Sequence, residues 1–199
     1  MSNYSERGKI IRNNSLFIRL FAYFCTLVMI NVQTLIQLKA FARIDGLWLA
    51  LLWTSSFACL MYPPLSIVGN LLLLMTPVLM TWRVIKFRNY ALDGSISYRR
   101  AFAYGCYMTF YASLIFAMVQ CLYFQFLDNG HFVQLLNQSV EELKAIDTRN
   151  TDYWSNLQQS IEMMRSVSPI ELAFMFMMQN LFIGTLTSTI VAIFGKKKK

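Results

Sequence analysis

Residues 168–199, SPIELAFMFMMQNLFIGTLTSTIVAIFGKKKK, decide the fold. The opening SPIE reads as a helix start: Ser168 suits the N-cap, Pro169 the first helical position, and Glu171 the closing acid of a capping box. From Ile170 to Phe194 the only charge is Glu171. At about 1.5 Å per residue that run is long enough to cross a bilayer core of about 30 Å. Lys196–Lys199 then stop it, as snorkelling cations at a membrane surface do. Near the middle of the run sit Gln179 and Asn180, followed by Gly184, Thr187 and Ser188. Asn180, Gly184 and Thr187 share one helical face.

The same logic extends over the chain. Of 199 residues, 56% are hydrophobic and only 14% charged, and the mean hydropathy is +0.44. Soluble domains carry about 25% charged residues, so the deficit, concentrated in long apolar stretches, points to a bilayer. Three more spans are expected. Residues 46–62 form a short one, with Lys39 and Arg43 at its edge, ending at Pro63-Pro64. Residues 65–82 follow, kinked by Pro77 and with Asn70 as their one strongly polar residue. Residues 98–127 form the third, with Asp93-Gly94 as a turn before it and Ser95 or Ser97 as its cap. It contains one amide, Gln120, and a stripe of Ala101, Gly105, Thr109 and Ala112 where another helix can approach closely. Residues 128–168 are polar. Phe132, Leu136, Val140 and Leu143, then Tyr153, Leu157, Ile161 and Met164, recur at helical spacing, which predicts two amphipathic helices. The fold expected is all-α: a polytopic transmembrane bundle of four core spans, 46–62, 65–82, 98–127 and 170–194, plus an extracytoplasmic helical hairpin.

Charge sets the orientation. Arg83, Lys86, Arg88, Arg99, Arg100, the final lysines, Lys39 and Arg43 all fall on one side of this scheme, and the acidic 128–168 segment falls on the other. The positive-inside rule makes the basic side cytoplasmic. Residues 1–38 stand apart as an N-terminal extension. The apolar stretch 16–38 would cross against the rule, because Arg7, Lys9, Arg12 and Arg19 would lie outside. An interfacial helix, a true span, or a biological start at Met29 are the readings it leaves open.

The formal net charge of +8 reports topology and anionic lipid at the cytoplasmic face, not nucleic acid. Cys25, Cys59, Cys106 and Cys121 lie inside apolar stretches and form no CxxC pair, so neither disulfides nor zinc is indicated. His131 is the single histidine, beside Asp128. There is no GxSxG, HExxH or glycine-rich phosphate loop, so an enzyme is not expected and no cofactor is implied. No ionisable residue falls in the middle of a span, so no proton relay or buried charge pair is expected either.

The polar residues at depth are then the candidates. Asn70, Gln120, Gln179, Asn180, Gly184, Thr187 and Ser188 form an intramembrane polar or packing face. They act either as glue between helices, with Gln120 or Asn70 facing the amide pair, or as the lining of a pore built from several copies. Tyr153 and Trp154 on the hairpin pack within it, lie on the outer leaflet, or dock a partner. The expected partners are the bilayer, a second copy of the chain, or an unidentified membrane protein.

Three stretches carry a resemblance: DGSISYRRAFAYG at 93–105, YFQFLD at 123–128 and GTLTSTIVAIFGKKKK at 184–199. They resemble a bacterial domain-of-unknown-function family of small inner-membrane proteins, common in Bacteroidetes, with four predicted spans. The shared features are Gly94, Ile96, Ser97, Tyr98, Ala101 and Phe102, then Asp128, then Gly184 through Ala192, within residues 39–199. Family members often carry proline after that aspartate, where this chain has Asn129 and Gly130. The resemblance implies architecture and an inner-membrane location, and no activity. The role expected is a non-enzymatic accessory or scaffold in a membrane assembly; the alternative is an oligomeric channel or transporter for a small solute.

Overall fold

The computed structural model describes residues 32–146 and 151–197. The described residues are all-α, with no strand beyond one isolated bridge. Helix α1 (Val32–Leu60) leads through a 3-10 turn at Pro63–Leu65 into α2 (Ser66–Leu74) and α3 (Thr76–Ala91). Then come α4 (Tyr98–Phe126), α5 (His131–Ile146), α6 (Thr151–Met163) and, after a 3-10 turn at Met164–Ser166, α7 (Pro169–Gly195). The chain divides into two compact units, residues 1–40 and 41–199. Everything below concerns the second. The question of whether 16–38 spans falls mostly on residues 1–31, outside the described residues.

Among the described residues, three stretches are long and apolar enough to cross a membrane: Pro63–Ala91, Tyr98–Phe126 and Pro169–Gly195. The expected span at 46–62 is not among them. It is the C-terminal half of α1, whose 29 residues also carry Lys39, Arg43 and Asp45. Its uncharged part, 46–60, reaches only about 22 Å as a helix.

The Pro63–Ala91 stretch is broken, because Pro77 has no N–H to bond the turn before it. The break falls at Met75, which ends α2, and Pro77 sits in the first turn of α3. Helix α2 folds back on α1, where the Ser56 hydroxyl donates to the Gly69 carbonyl at 2.7 Å. At Gly69 an added Cβ would lie 2.9 Å from the Ser56 carbonyl, so this hairpin admits only glycine without a shift.

Helix α4 is the centre of the bundle. Its stripe of Ala101, Gly105, Thr109 and Ala112 is buried, together with Tyr104 and Met108. At Gly46 of α1 a Cβ would stand 2.9 Å from Tyr111 Cβ and 3.0 Å from the Met108 carbonyl. On the other side Gly105 faces Ser188, and Gly184 faces the Thr109 side chain, so α7 lies against α4. Gly195 brings α7 against Val84 of α3. Small residues at each crossing let backbones approach, as helix pairs without a hydrophobic driving force require.

Each end of the bundle is pinned. At one end Ile96 and Lys197 exchange backbone hydrogen bonds of 2.9 and 3.0 Å, and Arg88 donates to the Gly195 carbonyl at 3.0 Å. Asp93 and Gly94 form the preceding turn with φ of 49° and 78°. Ser97 is the N-cap residue of α4, but its side chain makes no capping bond. At the other end Asp128 accepts from the backbone of Gly130 (3.1 Å) and Phe132 (2.8 Å), which caps α5. His131 Nε2 lies 2.9 Å from the Met61 carbonyl and ties α5 to the α1–α2 turn.

Helices α5 and α6 have a core of their own, built from Val133, Val140, Trp154 and Ile161, with Leu136, Leu157 and Met164 against it. Leu136, Val140, Leu157, Ile161 and Met164 face this core as expected, while Val133 and Trp154 enter it beside the expected Phe132 and Tyr153. Phe132 turns instead to Phe124 and Phe176, at ring distances of 5.4 and 5.7 Å. Leu143 and Tyr153 are exposed. Trp154, a candidate docking residue in the sequence, is 7% exposed inside the hairpin core.

Candidate functional site

Two polar features stand inside the bundle, one in each half. The first joins three helices. Asp45 of α1 and Arg83 of α3 form an ion pair at 3.3 Å, with side-chain exposures of 10% and 9%. The hydroxyl of Tyr104 of α4 donates to the second Asp45 oxygen. The guanidinium carbon lies 5.4 Å from the Trp48 ring and 5.0 Å from the Trp82 ring, a double cation–π arrangement. Phe87 stacks on Tyr104 at 4.4 Å. Arg83 Nε has no partner among the described residues.

This overturns the expectation that no buried charge pair exists. The sequence reading put Asp45 ahead of a span and Arg83 in a basic connector. The continuous α1 helix carries Asp45 into the bundle, where Arg83 and Tyr104 neutralise and bond it. One signal was available: Asp45 is the only acid between Glu6 and Asp93. Burying a lone carboxylate is costly, so an isolated acid beside an apolar run calls for a partner.

The second feature is a cleft of about 420 Å³ in the half nearer His131. The break at Met75 and the lean of α2 onto α1 leave a gap between them and α7. Trp53, Phe57, Phe116, Phe132 and Phe176 give it aromatic walls, and Leu74 and Ile183 flank it. Gln120, Gln179 and Asn180 all reach it, and none of the residues lining it is ionisable. Gln120 is 3% exposed and its Oε1 accepts no hydrogen bond among the described residues. The nearby hydroxyls are committed. Trp53 donates to Thr76 at 3.1 Å, and Thr187 to the Ile183 carbonyl at 2.9 Å.

The expected polar face therefore divides. Gln120, Gln179, Asn180, Gly184 and Thr187 meet at the cleft. Ser188 is fully buried on the α4 side and bonds the Gly184 carbonyl at 2.7 Å. Asn70 is exposed on α2 and does not reach the cleft, so it is no partner for the amide pair. Outside both features, Ser168 and Glu171 form the capping box of α7: Glu171 N donates to the Ser168 hydroxyl at 3.4 Å, and Ser168 N to the Glu171 carboxylate at 3.0 Å. Among the described residues no group of three or more His, Cys, Asp or Glu could hold a metal ion.

A family model described as protein of unknown function (DUF4199) matches residues 17–197, and the chain belongs to that family. The match begins at residue 17, so the family pattern takes in residues 17–38, which the sequence resemblance left outside, and starts before Met29. No curated protein and no solved structure matches the chain.

Proposed function

We propose that this DUF4199 member is a four-span membrane protein acting as a non-enzymatic accessory or scaffold in a membrane assembly. The fourth span is the 46–60 part of α1, short but tightly packed on α4 at Gly46. The end carrying Arg88, Arg99, Arg100 and Lys197 faces the cytoplasm of a bacterial inner membrane, and the α5–α6 hairpin faces outward. Basic residues at that end and six acids in 128–168 support this orientation. Anionic lipid would meet the lysine tail, adding about 1 kcal/mol per charge near the surface.

One observation carries the accessory reading. The ionisable pair inside the bundle, Asp45 and Arg83, is neutralised internally, and the other interior polar groups are amides and hydroxyls. Ion-coupled transport uses chains of ionisable groups at depth, and hydrolytic chemistry uses a nucleophile with a base. Neutral amides bind and position.

Reconstitution in liposomes tests this. The accessory reading expects no ion or small-solute flux from the purified chain, and crosslinking in native membranes that captures the same membrane protein repeatedly. Robust flux abolished by Asn180→Leu would establish the channel alternative. Topology is checked with a membrane-impermeant maleimide applied from outside: Ala145→Cys should label and Tyr90→Cys should not.

A further inference from the structure

We propose that the cleft between α1, α2 and α7 binds a neutral lipid bearing a hydroxylated aromatic ring, of the phenol or quinol class. The inference rests on the membrane reading above but not on the accessory role.

The ligand's charge follows from the walls. Among the described residues no ionisable side chain lines the cleft, so a phosphate, carboxylate or ammonium would enter without a counter-charge from them. Its hydrogen bonding follows from the amides. Gln120, Gln179 and Asn180 make no side-chain hydrogen bond among the described residues, and the Gln120 carbonyl is sealed from solvent. Each of these amides carries unpaired N–H donors as well as a C=O acceptor, and a hydroxyl matches both because it donates and accepts. An acceptor-only ligand, such as a ketone or ester, would pair with the amide N–H groups alone, whereas an O–H accepts from one amide and donates to another.

Shape then selects a ring. Trp53 stands 5.9 Å edge-on to Phe116, and Phe132 is 5.7 Å from Phe176. Aromatic walls take a planar guest by stacked or edge contacts. The volume lies within the usual range of small-molecule sites, about 300–1,000 Å³. The cleft runs from Trp53 of α1 to Met61 just past its end, and from Phe176 to Thr187 on α7, about 12 and 17 Å. It therefore occupies about one leaflet, and the close packing at Gly184 and Gly105 shuts it below. A partner helix would need a face along the whole depth, about 30 Å. Asn180 lies eleven residues into α7, about 17 Å from its start, so the ligand's polar group sits near mid-bilayer. Phospholipid headgroups stay at the surface, and small neutral hydroxyls can go that deep.

The test uses the full chain in nanodiscs of phosphatidylethanolamine and phosphatidylglycerol, titrated with 4-decylphenol and with decylbenzene, which lacks only the hydroxyl. Trp53 emission is the readout, isolated by subtracting the Trp53→Phe variant. The phenol should quench saturably and bind about tenfold tighter than decylbenzene, the value of one hydrogen bond. Gln120→Leu and the half-buried Asn180→Leu should each remove that preference without weakening decylbenzene. Equal binding of the two probes, or a preference that survives both substitutions, overturns the proposal. Alkaline carbonate extraction separates the two failures: a chain that leaves the membrane pellet defeats the membrane reading, and one that stays while showing no preference defeats only the ligand.

Discussion

Toward Lys197 the helices meet at Gly46, Gly105 and Gly195, and both buried charges are paired. Toward His131 the break at Met75 and five aromatic rings hold α7 away from α1 and α2, and three amides make no side-chain hydrogen bond among the described residues. The same helices thus make a close-packed half and an open half. Small residues let backbones approach, and large rings with a proline break keep them apart. Polar groups in the first half serve the fold. The amides in the second have no side-chain partner among the described residues.

The largest effect should come from breaking the charge pair. Asp45→Leu leaves Arg83 buried without its counter-ion and removes the acceptor of the Tyr104 hydroxyl. Removing one partner of a buried pair costs about 3–5 kcal/mol. Asp45→Leu with Arg83→Met should recover most of that loss, because neither charge then needs a partner. Denaturant unfolding in detergent micelles measures both. A double variant no better than the single one would show that the cation–π contacts of Arg83 with Trp48 and Trp82, not the ion pair, hold this half together.

Next comes the close approach itself. Gly46→Ala places a methyl 2.9 Å from Tyr111 Cβ and 3.0 Å from a backbone carbonyl, neither of which can turn aside. Overpacking of this kind costs about 1–3 kcal/mol. Gly94→Ala is the control. It meets no atom within 4 Å, and only its φ of 78° resists, so its loss should be about 1 kcal/mol. Equal losses at both positions would show that the close approach at Gly46 costs no more than an ordinary glycine replacement.

Much of this architecture could be read along the chain, because hydropathy and small-residue periodicity are local. The long apolar runs, the stripe from Ala101 to Ala112, and the SPIE start each depend on neighbours within a few turns. What escaped the reading depends on partners far apart. Asp45 is explained by residues 38 and 59 positions away. Phe132 lies off the predicted hairpin face, with its backbone N–H on Asp128 and its ring against Phe124 and Phe176, which come from two other helices. The amides were visible as polar residues at depth, but their meeting at one cleft depends on where α2 leans after Met75.

The smallest effect carries the sharpest contrast, because the two halves should differ in sign. Ser188→Ala in the closed half loses the 2.7 Å bond to the Gly184 carbonyl and should cost about 1 kcal/mol. Gln120→Leu in the open half keeps the volume and removes a buried carbonyl that has no partner among the described residues, so the empty protein should gain up to about 1 kcal/mol. The same substitution should weaken the phenol. A residue whose removal stabilises the fold and impairs binding is one retained for function at the expense of stability. Melting midpoints of the two variants with and without 4-decylphenol decide it. If Gln120→Leu destabilises the empty protein as Ser188→Ala does, Gln120 belongs to the packing of α4, and the two halves obey one rule.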